Sequence, residues 1–198
     1  MSKSSASSPT LSKRDQLVET AWRLFYRDGY RAVGIDLILA EAGVAKMTLY
    51  NHFASKEDLI VAVLEKRSGD FLESIAAAVE AAGRGPQKRL LAVFDWLGAW
   101  LASPDFNGCA FIRAVAEFPD ARERPHQVAA AHKQAVVDLL GELAAALEVR
   151  EPALLARELA LLMEGAIVRA HTFGASSSGA AQDARAAARR LIEAALPG

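Results

Sequence analysis

The sequence has a single cysteine, Cys109, which excludes an internal disulfide framework and suits a reducing cytoplasm. No apolar run reaches the ~18–20 residues that span a bilayer. The N-terminal stretch carries Lys3 but lacks the apolar core of a signal peptide, so export is not expected. Neither sign of charge dominates: 23 Lys and Arg meet 24 Asp and Glu, and a net charge of −1 does not by itself point to nucleic acid. Convincing period-two strand patterns and internal repeats are missing as well. Metal spacing is also lacking. Glu123-x-x-His126 is interrupted by Pro125 and has no second copy, and His126 and His132 are six apart, not the four that align zinc ligands on a helix. Gly83-Arg-Gly-Pro lacks the pattern of a phosphate loop. Cys109 follows a glycine at a helix start, yet no base accompanies it, and it reads as a small buried residue. No catalytic set, metal site or cofactor is expected.

What remains is a chain with a real core: 52% of residues are hydrophobic and 24% charged, as in a soluble globular protein. Its 198 residues suit one large domain, or a small one fused to a medium one. Charge is unevenly placed. Residues 1–66 hold nine Lys and Arg against eight Asp and Glu, whereas 67–198 hold fourteen against sixteen. Residues 1–14 contain Lys3, Lys13 and Arg14 and no acid; residues 42–56 contain Lys46 and Lys56 and no acid. A basic footprint can be small if it is focused.

Helical periodicity organises the chain as all-α, with about nine helices. Residues 1–11, rich in Ser, are expected to form a disordered arm. Ser12 and Asp15 suit a capping box for a first helix that buries Leu17, Val18, Ala21, Leu24 and Phe25 and stops near Asp28-Gly29. A second helix fits 35–42 with Ile35, Ile38, Leu39 and Ala42 inward, and Gly43 supplies the left-handed turn of a tight corner. A third runs from about Ala45 to His52. Ser55, with Asp58 three residues on, caps a long fourth helix to about Ala82. Further helices fit 86–102, 108–117, 125–148 and 152–173, three of them opening with Pro. A Gly/Ser/Ala linker at 174–180 precedes a last helix at 181–196.

The third helix carries the chemistry. With Leu49 facing the core, a rotation of about 100° per residue puts Phe53 and Ala45 within ~40° of it and turns Met47 and Asn51 directly outward. Thr48 and Tyr50 flank them, and Lys46 and His52 lie at the edges. An outward face of Met, Asn, Thr and Tyr beside a glycine turn fits a helix laid in a major groove. Asn51 suits bidentate bonding to adenine, Met47 a thymine methyl, and Thr48, Tyr50 and His52 phosphates. Lys56 sits in the first turn of the fourth helix, where the helix dipole disfavours a cation. Either it is a solvated surface lysine, or a phosphate at that helix end satisfies both the lysine and the free backbone N–H groups.

Taken together, Ala-Gly-Val at 42–44, Lys-Met-Thr-Leu-Tyr-Asn-His-Phe at 46–53 and Ser-Lys-Glu-Asp-Leu at 55–59 resemble the motif of the TetR family of bacterial transcriptional regulators. The resemblance covers residues 13–66. It implies that Lys46, Met47, Thr48 and Asn51 face bases, and that Thr48, Tyr50, His52 and Lys56 hold the backbone of double-stranded operator DNA. Ala45 stands where the family often has a capping Ser, and no DNA contact is assigned to Asp36.

The resemblance further implies a DNA-binding domain at 12–66 and a ligand-binding and dimerisation domain at 67–198. A homodimer would form through the helices at about 152–173 and 181–196, which suits a palindromic operator. Leu154, Leu155, Leu159, Leu161, Leu162, Ile167 and Ala170 cover more of the first of these helices than one buried side needs. Candidate effector contacts are Trp96, Trp100, Phe111, Phe118, His132, Met163, Glu164 and His171. The aromatics equally suit a core. His132 lies on the apolar stripe of Val128, Val136, Leu139 and Leu143, as a core histidine or a ligand group. Glu164 has three roles open to it: pairing across a dimer, meeting a ligand, or facing solvent.

The expected function is a cytoplasmic, TetR-like repressor, released from its operator by a small, largely apolar molecule. A ligand-independent or activating regulator is the alternative. An all-α enzyme or carrier would need convergent acid, base or metal groups, and none shows recognisable spacing.

Overall fold

Ser12 caps the first helix. Its hydroxyl accepts from the Asp15 N–H at 3.1 Å and donates to the Asp15 carboxylate at 2.7 Å, so the local sequence alone satisfies a helix end. The computed structural model describes residues 11–174 and 179–196, and the expected arm at 1–11 lies almost wholly outside them. Nine helices and no strand occur among the described residues: α1 (Lys13–Asp28), α2 (Ile35–Ala42), α3 (Lys46–His52), α4 (Lys56–Ala81), α5 (Pro86–Leu101), α6 (Ala110–Glu117), α7 (Arg124–Ala145), α8 (Pro152–Phe173) and α9 (Ala180–Ala195). The all-α expectation holds. The chain divides into two compact units, Met1–Val63 and Leu64–Gly198, with the division inside α4.

In the first unit, α1, α2 and α3 pack on one another. Leu17, Ala21, Phe25, Ile38 and Leu49 are fully enclosed, and the Phe25 and Tyr30 rings lie 5.4 Å apart. Burying each of the Leu, Ile and Phe side chains stabilises by about 1.5–3 kcal/mol. Ile35 and Leu39 are only half-buried, contrary to the sequence expectation: α2 has two turns, and its inner face is filled by Ile38 and Ala42.

In the second unit, α8 lies between α7 and α9, and α5 packs on both α7 and α9. The core runs through Val93, Leu97, Leu140, Leu159, Ile167, Ala188 and Ile192. Two helix ends differ from the sequence reading. α7 stops at Ala145 because Leu147 N–H bonds back to the Ala144 carbonyl and Glu148 turns left-handed at φ 58°, which puts Leu147 and Val149 into the core. α6 starts at Ala110 because Gly108, at φ 81°, carries the chain over the His171 ring. A Cβ at Gly108 would sit 2.6 Å from His171 Nδ1, so only glycine fits there. The linker at 175–178 lies outside the described residues.

Candidate nucleic-acid interface

Gly43 makes the corner between α2 and α3. Its backbone is left-handed, φ 62° and ψ 39°, and the Gly43 and Val44 N–H groups close the end of α2 on the Ala40 and Leu39 carbonyls. Gln16 of α1 donates to the Ala42 carbonyl at 2.7 Å, which ties that corner to the first helix. α3 is then held by Leu49, fully buried, and by Phe53, 4% exposed at its C-cap. Arg14 of α1 lies over the Phe53 ring at 5.4 Å.

This anchoring decides what faces outward. Met47 is 70% exposed and Tyr50 is 44% exposed. Lys46, Asn51 and His52 are exposed, and Thr48 is half-buried. The six candidate residues of α3 therefore lie together on one short helix, all exposed except the half-buried Thr48. Ala45 is an exception to the inward assignment: it is the N-cap residue, extended at φ −71° and ψ 151°, and exposed. A residue outside the helical rotation does not follow its face.

Lys56 begins α4 beside Ser55, whose hydroxyl accepts from the Asp58 N–H at 3.1 Å and donates to its carboxylate at 2.9 Å. The Lys56 ammonium donates to the Arg31 carbonyl at 3.2 Å, so it braces the loop before α2. Asp36, near the start of α2, places Oδ1 3.8 Å from Lys46 Nζ, with both side chains largely in solvent.

The surface is built like a helix-turn-helix, and comparison with known proteins agrees. Residues 17–63 match the model for bacterial regulatory proteins of the tetR family. A crystal structure of a TetR-family transcriptional regulator from Streptomyces coelicolor is 32% identical, superposes with a TM-score of 0.88, and the alignment covers 95% of this chain and 92% of that one. The chain belongs to the TetR family. Its members are transcriptional regulators rather than enzymes, and this chain is a DNA-binding regulator of that family.

Curated relatives match over shorter stretches. The HTH-type transcriptional activator FasR of Mycolicibacterium smegmatis is 35% identical over 92 residues, and the HTH-type transcriptional repressor DhaR of a Mycobacterium species is 34% identical over 96. These alignments cover 45% and 48% of this chain, and the chain spans only 42% and 47% of those relatives' lengths.

In the larger unit of this TetR-family chain, the eight remaining candidates separate. Phe111, His132, Met163 and Glu164 gather where α6, α7 and α8 meet. His132 is 3% exposed; its ring stacks on Phe111 at 3.5 Å and meets the edge of Phe71 at 5.0 Å, while Nδ1 shares a hydrogen bond with Ser68 Oγ at 2.9 Å. Burial pushes this imidazole down to about 3, and the charge of Lys133 adds to the effect. Glu164 is paired: its carboxylate lies 3.3 Å from Lys133 Nζ. His132, Met163, Glu164, Lys133, Phe71 and Cys109 line a narrow cavity of about 20 Å³. That volume suits a single water.

Trp96 and Trp100 stack at 5.7 Å and both meet Phe71, at 4.8 and 5.3 Å, so they form the aromatic wall behind this cavity. His171 belongs elsewhere, lining with Phe106 and Gln182 an open cleft of about 420 Å³. Phe118 is buried, lines neither space, and caps α6. Ser68 and Phe71 escaped the sequence reading because they lie on α4, more than 60 residues from His132, and no periodicity connects them. Among the described residues no helix is long and apolar enough to cross a membrane, and no three His, Cys, Asp or Glu converge as a metal site.

Proposed function

We propose that this TetR-family regulator acts in the cytoplasm as a homodimeric repressor that binds a palindromic operator and is released by a small, largely apolar effector. The observation that carries the DNA-reading part is the outward face of α3: Met47, Tyr50 and Asn51 exposed on a helix locked by Leu49 and Phe53. In this reading residues 12–66 form the DNA-binding domain. Met47 and Asn51 meet bases, with Lys46 and Thr48 beside them, and Tyr50, His52 and Lys56 face phosphates. Residues 67–198 sense the effector and dimerise.

Dimerisation is supported by α8. Leu154, Leu161 and Val168 are 39%, 69% and 49% exposed and lie seven residues apart, so they form one stripe. Leu155, Leu159 and Ile167 occupy the opposite, buried side. A helix apolar on two sides suits a second copy packed on α8 and α9.

The effector reading rests on the interior of the second unit. A cavity of about 20 Å³ is far below the ~300 Å³ of a drug-sized site. Entry of an effector beside His132 therefore requires the walls of that cavity to part, including α4, which carries Phe71 and runs without a break from the Ser55 cap. A ligand that favours one position of α4 shifts the DNA-binding state by its differential affinity, ~1–3 kcal/mol in typical couplings. DhaR is a repressor and FasR an activator, so the similarity to FasR favours activation as the second reading.

Operator selection from a random duplex pool, followed by footprinting and in vitro transcription with and without a metabolite library, tests the proposal. A two-fold protected site whose occupancy silences a promoter and falls with one ligand is the expected result. Enhanced transcription on binding would overturn repression, and occupancy indifferent to every ligand would overturn effector release.

A further inference from the structure

The α3 surface carries little charge of its own. Its exposed apolar and polar groups, Met47, Tyr50 and Asn51, are neutral, and its N-terminal cation, Lys46, faces the Asp36 carboxylate of α2 at 3.8 Å. The Asp36 side chain is 91% exposed and the Lys46 side chain 62%, so neither is needed for packing. Lys46 Nζ thus has an anion beside it before any DNA arrives, and a phosphate must compete with that carboxylate.

We infer that Asp36 is a specificity-determining residue that withholds Lys46 from non-specific phosphate contact, so that α3 engages DNA only where its base contacts are correct. The inference rests on the assignment of α3 as the DNA-reading helix. Its physical basis is the ion balance of DNA binding. Non-specific affinity comes almost entirely from cations that replace counterions on phosphates. A cation already partnered by a carboxylate releases fewer counterions, and the carboxylate itself is repelled by the DNA surface. Base contacts by Met47 and Asn51 are short-range and unaffected by that penalty. In the selected complex Lys46 lies beside bases rather than on a phosphate, so that complex loses less than the mixed-sequence one, and the ratio that decides occupancy in a genome widens.

The alternative sign is equally concrete. If Asp36 served to aim Lys46 at a base, its loss would weaken the selected site and leave random DNA unchanged. The effects therefore separate in one experiment on the full chain. Binding of a mixed-sequence 40-base-pair duplex and of the duplex selected by the unmodified protein is measured across salt concentrations for the unmodified chain, Asp36→Asn, Asp36→Glu, Lys46→Gln and the Asp36→Asn/Lys46→Gln pair. Asp36→Asn is expected to raise affinity for mixed-sequence DNA about 2- to 10-fold near 0.1 M salt and to steepen the log–log salt slope by about 0.9 per subunit bound. Asp36→Glu should retain the unmodified slope, and Lys46→Gln should cancel the gain of Asp36→Asn.

Unchanged or weakened mixed-sequence binding by Asp36→Asn, or a gain that survives Lys46→Gln, overturns the inference while leaving α3 as the reading helix. A chain that binds no duplex at any salt concentration overturns the DNA-reading assignment, and the inference with it.

Discussion

His132 makes the stability of the larger unit depend on pH in a direction that can be worked out. The imidazole is 3% exposed, stacked on Phe111 and bonded through Nδ1 to Ser68, and burial lowers its pKa from 6.5 to about 3. Above pH 6.5 the ring is neutral both folded and unfolded and contributes no pH dependence. Below pH 6.5 the unfolded chain takes up a proton that the folded chain refuses. Stability is therefore lost as the pH falls from about 6.5 towards 3, with a limiting slope of about 1.4 kcal/mol per pH unit. Between pH 7 and pH 5 the loss from this one group comes to about 2 kcal/mol. The measurement is urea unfolding followed by tryptophan fluorescence in a Trp22→Phe background, so that the signal comes from Trp96 and Trp100, whose rings pack around Phe71 near His132. His132→Gln keeps a polar group for Ser68 but does not titrate. Its loss of stability between pH 7 and 5 should be smaller than that of the parent by about 2 kcal/mol, since the other histidines and all carboxylates are common to both. Equal losses in the two proteins, within ~0.5 kcal/mol, would refute the claim that folding holds this imidazole neutral.

Three further outcomes follow from the proposed function. Asn51→Ala should relax preference at a single base position by ~1–3 kcal/mol in a selection profile, leaving mixed-sequence affinity nearly intact; an unchanged profile would mean that the outward face of α3 is not what reads the bases. Lys56→Ala should weaken binding to every duplex and flatten the salt slope by about 0.9 per subunit, and a loss restricted to the selected operator would contradict a phosphate role. Leu161→Glu puts a carboxylate in the middle of the exposed α8 stripe. It should weaken self-association by about 3 kcal/mol, roughly a hundred-fold, as followed by light scattering over a dilution series, with helical content unchanged. Persistence of the dimer would place its interface elsewhere.

The local sequence alone determined the start of α1 and of α4. In both, a Ser hydroxyl bonds the N–H and carboxylate three residues on, and neither needs a partner from elsewhere in the chain. The corner at Gly43 was equally legible, because a left-handed residue at a helix end is a backbone requirement that glycine meets. The exposure of Met47 and Asn51 was legible as well, since Leu49 turns inward and a rotation of about 100° per residue carries both away from it, whereas Ala45, outside the helical rotation, did not follow the same rule. Tertiary structure decided the rest. It left Ile35 and Leu39 half-buried while Ile38 and Ala42 fill the inner face of α2, and it ended α7 early at a left-handed Glu148, with Leu147 and Val149 in the core. It brought Ser68 and Phe71 to His132, Lys133 to Glu164, Asp36 to Lys46 and the Arg31 carbonyl to Lys56. Those pairings join groups on different helices or loops, at distances set by packing. Periodicity along one helix carries no information about the side chains that another helix presents to it.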